Sequence, residues 1–412
     1  MNKVKKIVPE LRFPEFVNDG EWQYLNGDEL FKPISNRDHN SDLPILAISQ
    51  EHGAIPRELI DYTVIATKES IKSYKVVEKG DFIISLRSFQ GGIEYSNYKG
   101  ICSPAYIILR KKKKLEDIYF KYYFKTDLYI RHLNKNLEGI RDGKMVSNKQ
   151  FSEIPLPYPS YKEQKKIATY LSSLDEVITA HIKKIDALNE HKIGLMQNLF
   201  PQEGKKIPNL RFPEFKNAKP WTETALNKLA ERIVTKNSES LITTVFTNSA
   251  THGIVEQREY FDKDIADKSN LSNYYVVEPG DYVYNPRISN AAPVGPVSKN
   301  KLNKPGAMSP LYTVFRFKEK EDSYFEYYFK SNHWFDSIKK VANTGARFDR
   351  ISITDSILMG IPVLFPESKE QQKIASCLSN LDCLIKEQSD RLNQLREYKK
   401  GMIQSLFPKI ND

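Results

Sequence analysis

Cysteine is scarce in this 412-residue sequence: Cys102, Cys377 and Cys383 are the only three, and none has the spacing of a metal site. Cys377 and Cys383 fall on different faces of a helical pattern, so the expectation is buried, reduced thiols in a cytoplasmic protein. No apolar run reaches the ~18 residues that a membrane span needs. The opening MNKVKKIVPE is charged with no apolar stretch behind it, which argues against a secretion signal. Gly-rich phosphate loops and dinucleotide fingerprints are missing as well. A cofactor-dependent methyltransferase needs a Gly-rich turn and an aromatic clamp for a flipped base. The nearest string, Asn285-Pro286-Arg287, lacks that aromatic, and its counterpart in the first half is Ser85-Leu86-Arg87. Glu397-Tyr398-Lys399 has the form of a nuclease motif, but it lies within a helical repeat and reads as chance. His52 and His252 recur beside glycines without a recurring Ser, Cys or carboxylate, and read as turn or core histidines. These absences describe a chain that is not an enzyme by itself.

What is present is a duplication. EQKKIATYLSSLD (Glu163–Asp175) returns as EQQKIASCLSNLD (Glu370–Asp382), and the same offset carries NLFP, ending at Pro201, onto SLFP, ending at Pro408. Apolar residues in the first copy step by alternating fours and threes: Ile167, Leu171, Leu174, Ile178, Ile185, Leu188, Leu195 and Leu199. The second copy matches with Ile374, Leu378, Leu381, Ile385, Leu392, Leu395, Met402 and Leu406. His181, Lys192, Gln388 and Lys399 fill the gaps. A 3.5-residue repeat sustained over about five heptads is a coiled-coil seam. Each helix is roughly 60 Å long at 1.5 Å per residue, and two equal seams in one chain point to the helices packing on each other. Ser160-x-x-Glu163 and Ser368-x-x-Gln371 read as capping boxes. Gly194 and Gly401 recur near the helix ends, where close approach of a partner backbone is the expectation.

The repeat reaches beyond the helices. VPELRFPEF (Val8–Phe16) returns as IPNLRFPEF (Ile207–Phe215), Trp22 as Trp221, and YKVVEKGDFIISLR (Tyr74–Arg87) as YYVVEPGDYVYNPR (Tyr274–Arg287). Ser103-Pro104-x-Tyr106 matches Ser309-Pro310-x-Tyr312, and YFKYYFK (Tyr119–Lys125) matches YFEYYFK (Tyr324–Lys330). Leu43–Ser49, Thr243–Ser249, Tyr74–Val77, Phe82–Leu86 and Ala105–Leu109 read as strands, with turns at Gly80-Asp81 and Gly280-Asp281. Glu116–Leu133 has helical spacing, and its Tyr/Phe cluster is read as core. IPLPYP (Ile154–Pro159) and IPVLFP (Ile361–Pro366) read as stiff, extended lead-ins to the long helices. The fold class is α/β (α+β) with a mixed sheet in each half. A net charge of +10, shared across both halves, is compatible with nucleic acid. The run Lys111–Lys114 reads as a solvated turn.

The arrangement resembles the specificity subunits of type I restriction–modification systems. The resemblance rests on IPLPYPSYKEQKKIATYLSSLD, IPVLFPESKEQQKIASCLSNLD, both helix ends, both LRFPEF segments, GDFIISLRSFQGG and SPAY. It implies target-recognition domains at 1–160 and 201–367, with long helices at 161–200 and 368–412. It also implies an antiparallel coiled coil with an internal pseudo-two-fold axis, double-stranded DNA as the ligand, and one half of a bipartite site for each domain. Two modification subunits carrying S-adenosylmethionine, together with restriction subunits, are the implied partners, and this chain itself needs no cofactor. A coiled-coil scaffold that joins proteins, or a stand-alone DNA-binding regulator, are the other readings of the same pattern.

Comparing the copies sorts the candidate DNA contacts. Ser88–Ile101 differs from Ile288–Ala307, and Arg131–Phe151 from Phe335–Ile357, while the frame repeats. A residue kept in both copies does not distinguish two sequences, so Arg87, Arg287, Arg141 and Arg347 are expected to contact phosphate or support the fold. Residues that differ are candidates for reading bases: Ser88, Gln90, Lys144 and Asn148 in the first half, and Ser289, Asn290 and Arg350 in the second. Gln and Asn pair with adenine, and Arg with guanine, in the major groove.

Overall fold

A computed structural model of the chain describes residues 8–40, 42–60, 67–135, 146–260, 268–319, 322–344 and 349–408. The chain divides into two compact units, Met1–Ile182 with Asp390–Asp412, and Lys183–Ser389.

In unit 1 a four-stranded antiparallel sheet runs in the order Phe31–Ile34, Ile107–Lys111, Phe82–Ile84, Glu94–Tyr95. Side chains alternate faces along a strand, and the strand FII uses this directly. Phe82 and Ile84 enter the aromatic core with Phe31, Tyr119, Phe120 and Phe124, whereas Ile83 turns to a second cluster with Leu46, Val77 and Cys102. Phe31 meets Phe82 and Phe120 edge to face, each at 5.4 Å between ring centroids. Over the second cluster lie the hairpin Leu46–Ser49/Gly53–Pro56 and the pair Lys75–Val77/Gly100–Cys102.

Unit 2 repeats this plan. One sheet runs Ala230–Arg232, Thr313–Phe317, Tyr282–Tyr284, Val297–Lys299, and Tyr282 and Tyr284 face the aromatic core while Val283 faces the other cluster. A second sheet runs Gly253–Glu256, Val245–Ser249, Gly306–Met308, Tyr275–Val277, and its central pair is parallel, which makes it mixed. The turns at Gly80 and Gly280 need φ of +98° and +94°, which glycine adopts without a Cβ clash. The aspartates that follow are buried and bidentately paired, Asp81 with Arg110 and Asp281 with Arg316.

The long helices span Tyr161–Leu199 and Ser368–Leu406. In unit 1, Ile167 and Leu171 are buried with Leu406 and Phe407, and the Tyr170 and Tyr398 hydroxyls meet at 2.8 Å. Asp175 pairs with Lys399 and accepts from the Tyr122 hydroxyl at 2.5 Å. In unit 2, Leu199 and Phe200 are buried with Ile374 and Leu378, and Asp382 pairs with Lys192 at 2.5 Å and accepts from Tyr327 at 2.8 Å. Every apolar position of the 3.5-residue pattern is buried or half-buried. Lys192 and Lys399, two of the four polar residues that interrupt the heptad pattern, are thus each neutralised by a carboxylate of the other long helix.

Several sequence expectations need correction. Glu163 does not close a capping box, because its carboxylate holds the Arg12 guanidinium at 2.7 and 2.8 Å, as Glu370 holds Arg211. In the second copy Gln371 donates instead to the Pro366 carbonyl, as Gln164 does to Pro159. The proline lead-ins are strands, Pro155–Tyr158 paired with Gln23–Asn26 and Pro362–Phe365 with Thr222–Ala225. Glu116–Leu133 is broken into Asp117–Tyr123 and Asp127–Lys135, since Thr126 Oγ1 accepts from the Tyr129 N–H and restarts the helix. Ala105 lies in a turn built on Ser103, so the strand there begins at Ile107. Cys102 is buried, and burial pushes its thiol up to about 12, but Cys377 is half-buried and Cys383 exposed because both sit away from the seam. Gly194 and Gly401 have nothing within 4 Å of an added Cβ.

Candidate nucleic-acid interface

In unit 1 the chain leaves the strand Phe82–Ile84 and tightens into a helical turn, Ser88–Gly91. Ser88 is buried; its Oγ accepts from the Ser85 N–H at 2.9 Å, so it braces the loop rather than facing out, which removes it as a base-reading candidate. Gly92, at φ +81°, ends the turn against the Phe124 carbonyl, where a Cβ would come within 2.0 Å. Lys125 donates to the Gly91 carbonyl at 2.9 Å and pairs with Glu94, whose carboxyl burial raises above its usual range while Lys125 opposes the shift. Held from beneath in this way, the turn leaves Leu86, Arg87 and Gln90 exposed. The hairpin tip Gln50–His52 stands beside it, with Gln50 Nε2 donating to the Arg87 carbonyl at 3.2 Å.

In unit 2 the equivalent loop is held differently. Asn285 is buried, donating to the Asn248 carbonyl at 2.9 Å and accepting from the Arg287 N–H at 3.0 Å. Ser289 and Ala292 exchange backbone hydrogen bonds at 3.1 Å, and Gly295 (φ +81°) lies where a Cβ would meet the Asn285 carbonyl at 2.1 Å. Ile288 donates to the Asp349 carbonyl and Ile351 to that of Pro286, so Arg287 and Arg350 become bridge partners. Asp349 lies 3.5 Å from Arg287 and 3.9 Å from Arg350, both too exposed for strong pairing. Ser289 and Asn290 are exposed on the same loop. A cleft of about 430 Å³ separates this loop from the hairpin tip, lined by Thr251, His252, Ala292, Lys299, Lys301 and Lys330. At its floor burial pushes the Glu326 carboxyl up, but Lys330 and Lys301 outweigh burial and hold it below its usual range.

The structure therefore groups Arg87 with Gln90, and Arg287 with Ser289, Asn290 and Arg350. Asn148 is on a separate element, the first turn of Asn148–Glu153, which packs against Gly27. Arg141, Lys144 and Arg347 lie outside the described residues. Lys111–Lys114 are tied down locally: Lys111 to Asp117, Lys112 to the Asp28 carbonyl, Lys113 near Glu29, and Lys114 over the Tyr161 ring. The Tyr/Phe clusters are core in both units. His52 and His252 are exposed turn residues rather than core. Sequence reasoning missed the hairpin tips as neighbours of the loops. Their only signal was His-Gly recurring behind residues that differ, Gln50-Glu51 against Ala250-Thr251. Among the described residues no group of His, Cys, Asp and Glu could hold a metal ion, and no helix is long and apolar enough to cross a membrane.

A duplicated mixed fold whose copies share a frame and differ in exposed loops fits what family comparison finds. The model of the type I restriction modification DNA specificity domain matches twice, over residues 22–190 and 199–397, and the chain belongs to this family as a specificity subunit. It is similar to the Type I restriction enzyme MjaVIII specificity subunit of Methanocaldococcus jannaschii, 25% identical over 349 residues, 81% of this chain and 79% of that protein. The putative MjaX specificity subunit of the same organism is 24% identical over 95% of this chain and 90% of its own length. In fold it resembles a chain of a solved type I R-M system, at TM-score 0.54 and 17% identity over 94% of this chain and 97% of that one. The S subunit from M. genitalium gives a TM-score of 0.51 and 13% identity over 98% and 100%.

Proposed function

We propose that this chain is the non-catalytic, sequence-reading part of a cytoplasmic methyltransferase and endonuclease complex, in which each globular domain reads one half of a bipartite, asymmetric double-stranded DNA target. The observation that carries this reading is the split between a repeated frame and exposed loops that differ. Domains at 1–160 and 201–367 present Arg87 with Gln90, and Arg287 with Ser289, Asn290 and Arg350. Gln90, Asn290 and Arg350 carry the donor and acceptor patterns that read bases, and Arg87 and Arg287 suit phosphate.

The long helices at 161–200 and 368–412 form an antiparallel coiled coil that fixes the distance between half-sites. Two pairs support this arrangement: Asp175, early in the first helix, meets Lys399, late in the second, and Lys192, late in the first, meets Asp382, early in the second. Two modification subunits carrying S-adenosylmethionine dock on the repeated frame, and restriction subunits join the full assembly. Support comes from apolar residues exposed at matching places in both copies, Val8 with Ile207, Leu11 with Leu210 and Val177 with Leu384.

The test is methylation of a library of randomised sites by this chain assembled with its modification subunit. The expected result is two unlike half-sequences about 10 bp apart, separated by a gap of constant length. Methylation without sequence preference, or assembly in the absence of any DNA binding, overturns the reading in favour of a protein-joining scaffold. Binding of a specific site by the chain alone favours a stand-alone regulator.

A further inference from the structure

The two hairpin tips have one backbone and two sets of side chains. In unit 1, Ser49 Oγ accepts from the Glu51 and His52 N–H groups at 3.2 and 3.3 Å, and Gly53 follows at φ +70°. In unit 2, Ser249 Oγ accepts from the Thr251 and His252 N–H groups at 3.3 Å each, and Gly253 follows at φ +66°. The serine, histidine and glycine that set this shape recur, while Gln50-Glu51 becomes Ala250-Thr251. Gln50, Glu51 and His52 are exposed, as are Ala250, Thr251 and His252, and each tip adjoins a loop that differs between copies.

We infer that the hairpin tips are a second pair of specificity elements, reading base edges through Glu51 in unit 1 and Thr251 in unit 2, with His52 and His252 on the DNA backbone. This rests on the DNA-reading function proposed above and adds residues to it. The carboxylate is the telling group. Glu51 is exposed, its side chain 83% accessible, and it follows Gln50, whose amide reaches the Arg87 carbonyl on the face proposed to meet a polyanion. A carboxylate there, with only the exposed His52 ring at 3.8 Å beside it, weakens binding to every sequence unless it accepts from a base amino group, and the cytosine N4 amine is the donor that suits it. Thr251 offers a hydroxyl and a methyl at the equivalent place, a match for a thymine edge. Thr251 Oγ1 lies 2.8 Å from His252 Nδ1; with Nδ1–H donating to that oxygen, the hydroxyl proton stays available to a thymine O4 acceptor. Gln50 acts through its neighbour: its amide holds the Arg87 carbonyl and so positions Gln90.

The experiment uses the full chain assembled with its modification subunit, and reads methylation across randomised sites. Glu51→Ala is expected to lower the preference at one base pair of one half-site by about tenfold, leaving the other half-site as it was. Thr251→Val, which keeps the methyl and loses the hydroxyl, is expected to change the opposite half-site only. His52→Ala and His252→Ala reduce activity on all sites without altering preference. Should Glu51→Ala raise binding uniformly, with unchanged preferences in both halves, the carboxylate reads nothing and the inference fails. A wild-type assembly with no sequence preference defeats instead the function on which the inference rests, so the two failures are told apart.

Discussion

Unit 1 and unit 2 repeat three sets of charged contacts. Arg12 on Glu163 is matched by Arg211 on Glu370, Asp81 on Arg110 by Asp281 on Arg316, and Tyr122–Asp175–Lys399 by Tyr327–Asp382–Lys192. Beyond the strand ends they part. After Ile84 the chain makes a helical turn braced by Ser88, whereas after Tyr284 it makes an irregular loop braced by Asn285 and stitched to Asp349–Ile351. Buried ion pairs are costly to desolvate and strict in geometry, so they hold two backbones to one frame. Exposed loops carry no such constraint and are free to take different chemistry.

The comparison is tested hardest by breaking the frame. Glu163→Ala strands the Arg12 guanidinium, whose side chain is only 7% exposed, and is expected to cost about 3–5 kcal/mol in denaturant unfolding. Glu370→Ala is expected to cost the same within error in unit 2; a clearly smaller loss there breaks the equivalence. Next in size is Gln90→Ala, expected to relax recognition in one half-site by about 1–3 kcal/mol, read as methylation specificity. Equal effects on both half-sites defeat the assignment of one domain to each. Arg87→Ala and Arg287→Ala are expected to weaken binding to all sequences and each to lower the salt slope by about one, measured by titration at several ionic strengths. The smallest effect belongs to Gly194→Ala and Gly401→Ala. With open space around both added methyls, each is expected to stabilise its helix by about 1 kcal/mol in thermal unfolding.

How much of this was legible in sequence depends on how far each feature reaches. The long helices were, because a 3.5-residue period is local and repeats many times. Aromatic periodicity also placed Tyr119, Phe120 and Phe124 in the core, but it ran across Thr126 without revealing the break, since one side-chain cap outweighs a continuous apolar pattern. Glu163 fitted a capping box locally, and its partner Arg12 is too distant in sequence for any pattern to supply. The prolines mark Pro155–Tyr158 as extended, while its pairing with Gln23–Asn26 is set only by tertiary folding. Within the candidate interface, Ser88 reads as a surface loop residue by sequence, and only the folded loop turns its hydroxyl inward onto the Ser85 N–H. Arg287 and Arg350 are brought together by a backbone bridge across more than one intervening element, and no spacing rule anticipates that.

The division of the chain also sets an order of events during synthesis. Unit 2 is one uninterrupted stretch, Lys183–Ser389, whereas unit 1 is assembled from Met1–Ile182 and Asp390–Asp412. Leu406 and Phe407 are buried among Tyr119, Tyr123 and Leu171, and Phe407 lies 5.2 Å from the Tyr119 ring. A ribosome that has translated all of unit 2 still holds a unit 1 whose aromatic core is open on one side. The half made first is therefore the half finished last, and throughout that interval its exposed tyrosines and phenylalanines are what a chaperone or protease meets.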